Sequence, residues 1–261
     1  MPAQSHHSDP RILGRRTLEQ DHRCLAELLH PGLSVLDVGC DIGSITAGIA
    51  QTVRPEGLVL GVDRDEALLE MARREYAGIE NLQFEYGDAT ARKSRARFDI
   101  VTSARALQWI AEPRLAVENR KLAAKPGDMV VVLDYTHTQN GWEPEPPPEF
   151  KIFYDSFLAW QRANSWDNEI ADHLPGFFRS TGLTSVRGYS QNEVVKRGES
   201  EFASRSFSWT GTLEHVAGQL VAAGLCTAAQ LKDARERYES WGSTGLVRRT
   251  LALRTTIGVV P

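Results

Sequence analysis

Between residues 34 and 133, short apolar runs alternate with helical patterns, and this alternation leaves the chain few folds to choose from. The runs are Ser34 to Val38, 58–62, Leu82 to Tyr86, 98–103 and 129–133. The last reads Met-Val-Val-Val-Leu, the composition of a strand covered on both faces. Residues 44–53 are small and apolar, as in a helix packed close to a sheet. Ala67, Leu68, Met71 and Ala72 repeat at helical spacing behind Asp65, a suitable N-cap. A further helix over 114–122 is stopped by Pro126-Gly127. Strands that regularly alternate with helices are joined by crossovers, which predicts an α/β fold with a doubly wound, mostly parallel sheet.

The flanks add to this core. Residues 1–16 read as an arm, and Leu18, Leu25, Leu28 and Leu29 predict a helix over 17–30, ended by Pro31-Gly32. Beyond Tyr135 the pattern breaks. The segment 136–148 is rich in Pro, Gly and Glu and reads as a loop. Helices follow over 150–160 and 167–180, the second closed by Gly182, then a sixth strand over 184–189. Residues 200–240 are mostly helical, with Thr227 and Gln230 at capping-box spacing, and 251–260 form a seventh strand. The expected organisation is an N-terminal arm and helix (1–30), a ligand-binding core (31–135), an aromatic cap insertion (136–182) and C-terminal strands with a helical insertion (183–261).

Charge and cysteine usage remove several function classes. The 261 residues carry a net charge of -4 and no long basic run, so the electrostatic footprint of a nucleic-acid or anionic-membrane binder is missing. Cys24, Cys40 and Cys226 are few, odd in number and far apart, which fits a reducing compartment without a disulfide framework. No Cys/His cluster has zinc spacing. The polar start, with His6 and His7, has no apolar signal core, and no stretch is long enough to span a membrane, so the cytoplasm is expected.

The chemistry concentrates at the strand ends. The first strand runs into Val35-Leu36-Asp37-Val38-Gly39-Cys40-Asp41-Ile42-Gly43. Glycines at a strand-to-helix turn let the backbone approach a ligand. Asp63 closes the second strand, where a nucleoside site places an acceptor for ribose hydroxyls. Asp88 follows the third strand, where it can accept from an adenine amino group. Each acid alone could equally be a helix cap or a turn residue; the ordered set favours a nucleoside ligand.

These residues, with Phe98-Asp99-Ile100-Val101, Ala106-Leu107-Gln108-Trp109-Ile110 and Lys125-Pro126-Gly127, resemble the class I S-adenosylmethionine-dependent methyltransferases over roughly residues 30 to 135. The resemblance is greatest to the small-molecule branch that includes ubiquinone/menaquinone-type enzymes. It implies S-adenosylmethionine as cofactor, with Asp37, Gly39, Cys40, Asp41 and Gly43 around its methionine end. Asp63 would take the ribose, Asp88 and Ala89 the adenine, and Ser103, Ala104 and Arg105 the sulfonium side, with Arg64 a further cofactor-binding candidate. Two residues depart from the family. Asp41 stands where glycine is usual, and could contact the cofactor's ammonium or crowd its carboxylate; an adapted site is the expectation. Gln108 stands where relatives often carry histidine, which removes one candidate base.

Aromatics in the segments outside the core suit a cover over a small-molecule substrate, with Trp109, Tyr135, Trp142 and Tyr154 as pocket candidates. The plainer reading is that most of them pack the extra helices. His137, just past the fifth strand, is the first candidate base and His173 the second; a hydrogen-bonded structural role is the alternative for each. Arg15 and Arg16 read as solvated charges, with a lid role as the alternative. If the arm and the two inserts enclose the substrate, deleting residues 1–16 impairs turnover more than cofactor binding. Three other readings stand beside methyl transfer to a small molecule. A nicotinamide-dependent oxidoreductase would want G-x-G-x-x-G, and two of those glycines are absent here. A methyltransferase fold repurposed for binding remains open. Methylation of protein or nucleic acid lacks both an Asn-Pro-Pro-Tyr-type motif and a basic face.

Overall fold

The computed structural model describes residues 10–91 and 96–261. The chain begins with three short helices, α1 (Pro10–Leu13), α2 (Leu18–Asp21) and α3 (Arg23–Ala26). The apolar stripe that predicts a single helix over 17–30 is interrupted at His22, which has φ -145° and ψ 53°. The His22 ring is buried against the sheet, with Nε2 3.0 Å from Thr102 Oγ1, and this tertiary contact overrides local helix propensity. The first nine residues of the expected arm lie outside the described residues.

The core then alternates as expected: β1 (Ser34–Val38), α4 (Ser44–Thr52), β2 (Leu58–Asp63), α5 (Glu66–Glu75), β3 (Leu82–Tyr86), β4 (Phe98–Ala104), α6 (Pro113–Ala123) and β5 (Ala124–Tyr135). Asp65 caps α5, its Oδ1 accepting the amides of Ala67 and Leu68. After β5 come β6 (Gly141–Glu143), α7 (Pro148–Ala163), α8 (Ile170–Ser180), β7 (Thr184–Ser190), β8 (Glu193–Lys196), α9 (Phe202–Ser206), α10 (Ser208–Ala222), α11 (Ala228–Thr244), β9 (Arg248–Leu251) and β10 (Leu253–Val259).

Seven strands form one sheet in the order β3-β2-β1-β4-β5-β10-β7. The first five are mutually parallel, and β10 runs antiparallel to both β5 and β7. Strand order reverses between β1 and β4, so their carboxyl ends open a crevice, the usual ligand position in such sheets. Helix α4 packs on one face, and α7, α10 and α11 pack on one another and share its core, which includes Ile49, Phe153, Leu213 and Leu231. Helices α6 and α8 cover the other through Val117, Leu174 and Phe178.

A second, three-stranded antiparallel sheet, β6-β9-β8, departs from expectation. Residues 141–143 lie within a stretch read as loop, and 251–260 was expected as one strand. The chain instead breaks at Ala252, whose amide donates to Asn140 Oδ1 at 2.7 Å, so β9 joins the small sheet and β10 the large one. Among the described residues no helix is long and apolar enough to cross a membrane.

Candidate active site

A cavity of about 680 Å³ opens at the carboxyl ends of β1, β2, β4 and β5. Gly39, Asp41, Asp63, Arg64, Asp88 and Ala89 line one end of it. The turn after β1 is tight: Gly39 has φ +84°, and a Cβ there would stand 2.6 Å from Ala106 Cβ. Gly43, at φ +80°, lies behind the turn with the Phe84 ring against it. Both positions therefore demand glycine, one beside the cavity and one for packing.

The acids have distinct roles. Asp63 accepts the Asp65 amide at Oδ1 (2.9 Å) and the Asp41 amide at Oδ2 (3.0 Å). Each oxygen keeps a lone pair, so this carboxylate is oriented and can still accept two hydroxyls. Asp88 is held by Thr90, whose amide and hydroxyl donate to Oδ1 at 2.7 and 2.6 Å. Partial burial would raise the Asp88 carboxyl, but the Thr90 bonds outweigh it and hold the group below its ordinary range. Asp37 does not reach the main cavity. It sits in an adjoining recess of about 20 Å³ with Cys40, Asp41 and Ala104, and accepts the Thr46 hydroxyl at 2.7 Å. Burial pushes Asp37 up to about 6 against that hydrogen bond, and burial likewise lifts the Cys40 thiol. Ser103 is also withdrawn. Its hydroxyl donates to Val38 O at 2.6 Å and accepts from Arg120 at 3.1 Å, fastening the β1 turn to β4 and α6.

The other end of the cavity is aromatic. Trp109 stands edge-on to Trp166 and Phe157, with ring centroids 5.4 and 6.3 Å apart. Trp209 closes on Phe157 at 5.6 Å, and Tyr135 stacks on His137 at 4.8 Å. All six side chains line the cavity. Two of the expected pocket residues stand one layer back. Trp142 Nε1 donates to Tyr238 Oη at 3.1 Å, and Tyr154 Oη donates to the His137 carbonyl at 2.7 Å. They buttress the wall and do not line the cavity.

The histidines divide clearly. His137 is buried, and burial drives it down to about 3, so it is neutral. Its Nε2 lies 2.6 Å from Gln108 Oε1, and its Nδ1 lies 3.4 Å from Asn140 Nδ2. Gln108 in turn donates through Nε2 to the Arg105 carbonyl at 2.9 Å, which fixes the amide and makes Nε2 of His137 the protonated nitrogen. Neither ring nitrogen is free to take a proton from a substrate. His173 lies outside the cavity altogether. It is exposed on α8 and pairs with Asp167 at 2.6 Å, which raises its basicity through that hydrogen bond.

Arg105 has φ +59° and turns its buried guanidinium away from bulk solvent. It meets Asp21 at 3.3 Å and Glu193 at 3.7 Å, and lies 5.8 Å from the centre of the Tyr135 ring. Glu193 also pairs with Arg249 (3.0 Å) and Arg205 (3.2 Å). This buried network ties α2, β4, β8, α9 and β9 together beside the cavity.

Several cavity residues escaped the sequence reading. Arg120 is fully buried in α6, where burial lowers it to about 10; its position among Ala116, Val117 and Ala123 on one helical face was the available signal. Arg16, for which a solvated charge is the first reading and a lid over the site the alternative, faces the cavity, 3.6 Å from Asp41. Ser208 and Thr212, on α10, supply polar points on the aromatic wall and carried no motif.

A family model described as "Methyltransferase domain" matches residues 29–174. A demethylmenaquinone methyltransferase of Staphylococcus aureus is 34% identical over 168 residues, 60% of this chain and 70% of that protein. A 37.1 kDa protein in a Streptomyces fradiae transposon is 32% identical over 103 residues; the match covers 39% of this chain and 30% of that protein. Among solved structures, the YcgJ protein of Bacillus subtilis superposes with a TM-score of 0.60 at 15% identity, covering 96% of this chain and 98% of that one. Phosphoethanolamine N-methyltransferase 2 of Haemonchus contortus, solved with S-adenosylhomocysteine, gives 0.59 at 15% identity over 99% of this chain and 59% of its own. The seven-stranded fold, the family match across the core and the Staphylococcus relative agree: the chain belongs to the methyltransferase domain family, in the S-adenosylmethionine-dependent class that its sequence resembles.

Proposed function

We propose that this chain moves the methyl group of S-adenosylmethionine onto a small, largely apolar organic molecule by in-line displacement, in the cytoplasm and without nucleic acid or membrane as partner. The observation that carries this reading is the continuity of one cavity from Asp63 and Asp88 to the Trp109, Phe157, Trp166 and Trp209 wall. The acidic end fits an adenosyl group. Asp63 has acceptor capacity left for ribose hydroxyls, Asp88 stands at the end expected for adenine, and Gly39 lets the turn beside them pack closely on Ala106. Bound there, the cofactor supplies an already activated methyl group.

The chain's contribution is then alignment and exclusion of water. Holding two reactants in an attack geometry is worth roughly 7–11 kcal/mol of barrier. The aromatic wall holds a flat, apolar acceptor against the sulfonium side, near Arg105 and Tyr135. His137 fixes that wall: it supports Tyr135 by stacking and takes no proton. The free cysteines and the net charge of -4 support the cytoplasmic, small-molecule assignment. Incubation of the purified protein with methyl-labelled S-adenosylmethionine and a panel of aromatic and aliphatic acceptors tests the proposal. Labelled product together with S-adenosylhomocysteine is the expected result. Tight cofactor binding with no transfer to any acceptor would favour the repurposed binding protein instead.

A further inference from the structure

Resting on the adenosyl reading above, we propose that Arg16 and Asp41 together read the charged amino-acid end of that ligand, Arg16 taking its carboxylate and Asp41 its ammonium. The backbone of the β1 turn spends most of its donors internally. The amides of Gly39 and Cys40 both donate to Val62 O, at 2.7 and 3.1 Å. The Asp41 amide is held by Asp63 Oδ2 at 3.0 Å, and the Gly43 amide by Cys40 O at 2.9 Å. Four of the five amides from Gly39 to Gly43 are therefore committed within the protein. With most of its amides committed, the turn offers an arriving carboxylate few backbone donors, and a side-chain cation beside it meets that need.

Charge makes the same demand. Enclosure disfavours the charged form of Asp41, the Arg16 cation beside it favours that form, and the neighbouring Asp63 and Asp37 disfavour it again. A lone carboxylate would be repelled here, while a zwitterion with its ammonium directed at the acids would be accepted. Arg16 supplies the matching cation. Its Nη1 stands 3.6 Å from Asp41 Oδ2, and both side chains keep some exposure, about 16% for Arg16 and 35% for Asp41. Both residues border the main cavity and also the side recess that contains Asp37. The recess, at about 20 Å³, holds one water-sized group, which suits an ammonium.

Asp41 reaches this place because its backbone takes the left-handed region, φ +51°, which glycine occupies freely and aspartate tolerates. Replacing glycine by aspartate there adds one negative charge, and Arg16 answers it. Ile12 borders the same cavity as Arg16, so this part of the N-terminal segment stands beside the proposed cofactor end.

Calorimetric titration with three ligands separates the possibilities. These are S-adenosylhomocysteine, its decarboxylated analogue (ammonium kept) and 5'-methylthioadenosine (no amino-acid end). The wild-type protein is expected to prefer S-adenosylhomocysteine over the decarboxylated analogue by roughly tenfold, the scale of one charged hydrogen bond. In Arg16→Met that preference should fall to within about twofold, while Arg16→Lys keeps part of it. Asp41→Asn should weaken both ammonium-bearing ligands by roughly tenfold and leave 5'-methylthioadenosine unchanged. Unchanged melting temperatures confirm that the variants are folded. A full preference for the carboxylate in Arg16→Met overturns the pairing while leaving the adenosyl reading intact. Failure of all three ligands to bind the wild-type protein overturns both.

Discussion

Gln108 Oε1 accepts a hydrogen bond from His137 Nε2 at 2.6 Å, and this contact decides what the histidine can do. A ring held in one tautomer, buried, and driven down to about 3 stays neutral through the whole physiological range. The residue that removes a candidate base from its own position also immobilises the next candidate.

It follows that His137 contributes no ionisation to the rate profile. In His137→Gln, kcat/KM is expected to fall several-fold through loss of stacking on Tyr135, with the shape of its pH dependence unchanged. Disappearance of an ionisation near about pH 6.5 in the variant would show instead that His137 carries a proton.

The network around Arg105 predicts a stability effect. Asp21 is 4% exposed and pairs with the buried guanidinium, while also accepting the Thr17 amide at 2.9 Å. Removing one partner of a buried pair leaves the other uncompensated, at a cost of about 3–5 kcal/mol. Denaturant unfolding of Asp21→Ala should show a loss of that size; a loss under about 1 kcal/mol would mean that Glu193 alone satisfies Arg105.

Much of this site is legible in the sequence because strand ends are local features. Asp63 and Gly39 are positioned by the strand that precedes each of them, so a reading of apolar runs and turns suffices. Long-range features are not. The small sheet unites residues 141–143, 193–196 and 248–251, and no periodicity within a three-residue strand announces that pairing. Arg16 reaches Asp41 across a tertiary contact, so its local sequence shows only a charge. Trp142 and Tyr154 have pocket-like composition, but the side on which each ring ends is set by packing of α7 against α11 and the small sheet.

Gly39→Ala probes the turn itself. The new methyl group would meet Ala106 Cβ at 2.6 Å in a backbone conformation that disfavours L-residues. A destabilisation of about 1–3 kcal/mol is expected in thermal melts, together with loss of adenosyl-ligand binding. Normal binding by a fully stable variant would show that the turn can shift without consequence.

A pH effect on stability follows from Asp134. Burial pushes its carboxyl up to about 7 from 3.8, although the amides of Tyr135, Leu107 and Gln108 oppose the shift. The native state therefore holds a proton that the unfolded chain releases between those values. Stability from this group is complete below 3.8 and is lost as pH rises through about 7. Asp37, raised to about 6, acts in the same direction. The wild-type melting temperature should fall from about pH 5 to about pH 8, and Asp134→Asn should flatten the fall. Parallel curves for the two proteins would assign the dependence elsewhere.

The central claim is that the acidic end of the cavity holds an adenosyl group. Calorimetric titration with S-adenosylmethionine and S-adenosylhomocysteine, with NADH as control and Asp63→Ala as the variant, tests it most directly. The account predicts binding in the micromolar range for both adenosyl ligands, none for NADH, and loss of binding in the variant. Absence of adenosyl binding by the wild-type protein, or full binding by Asp63→Ala, would contradict it.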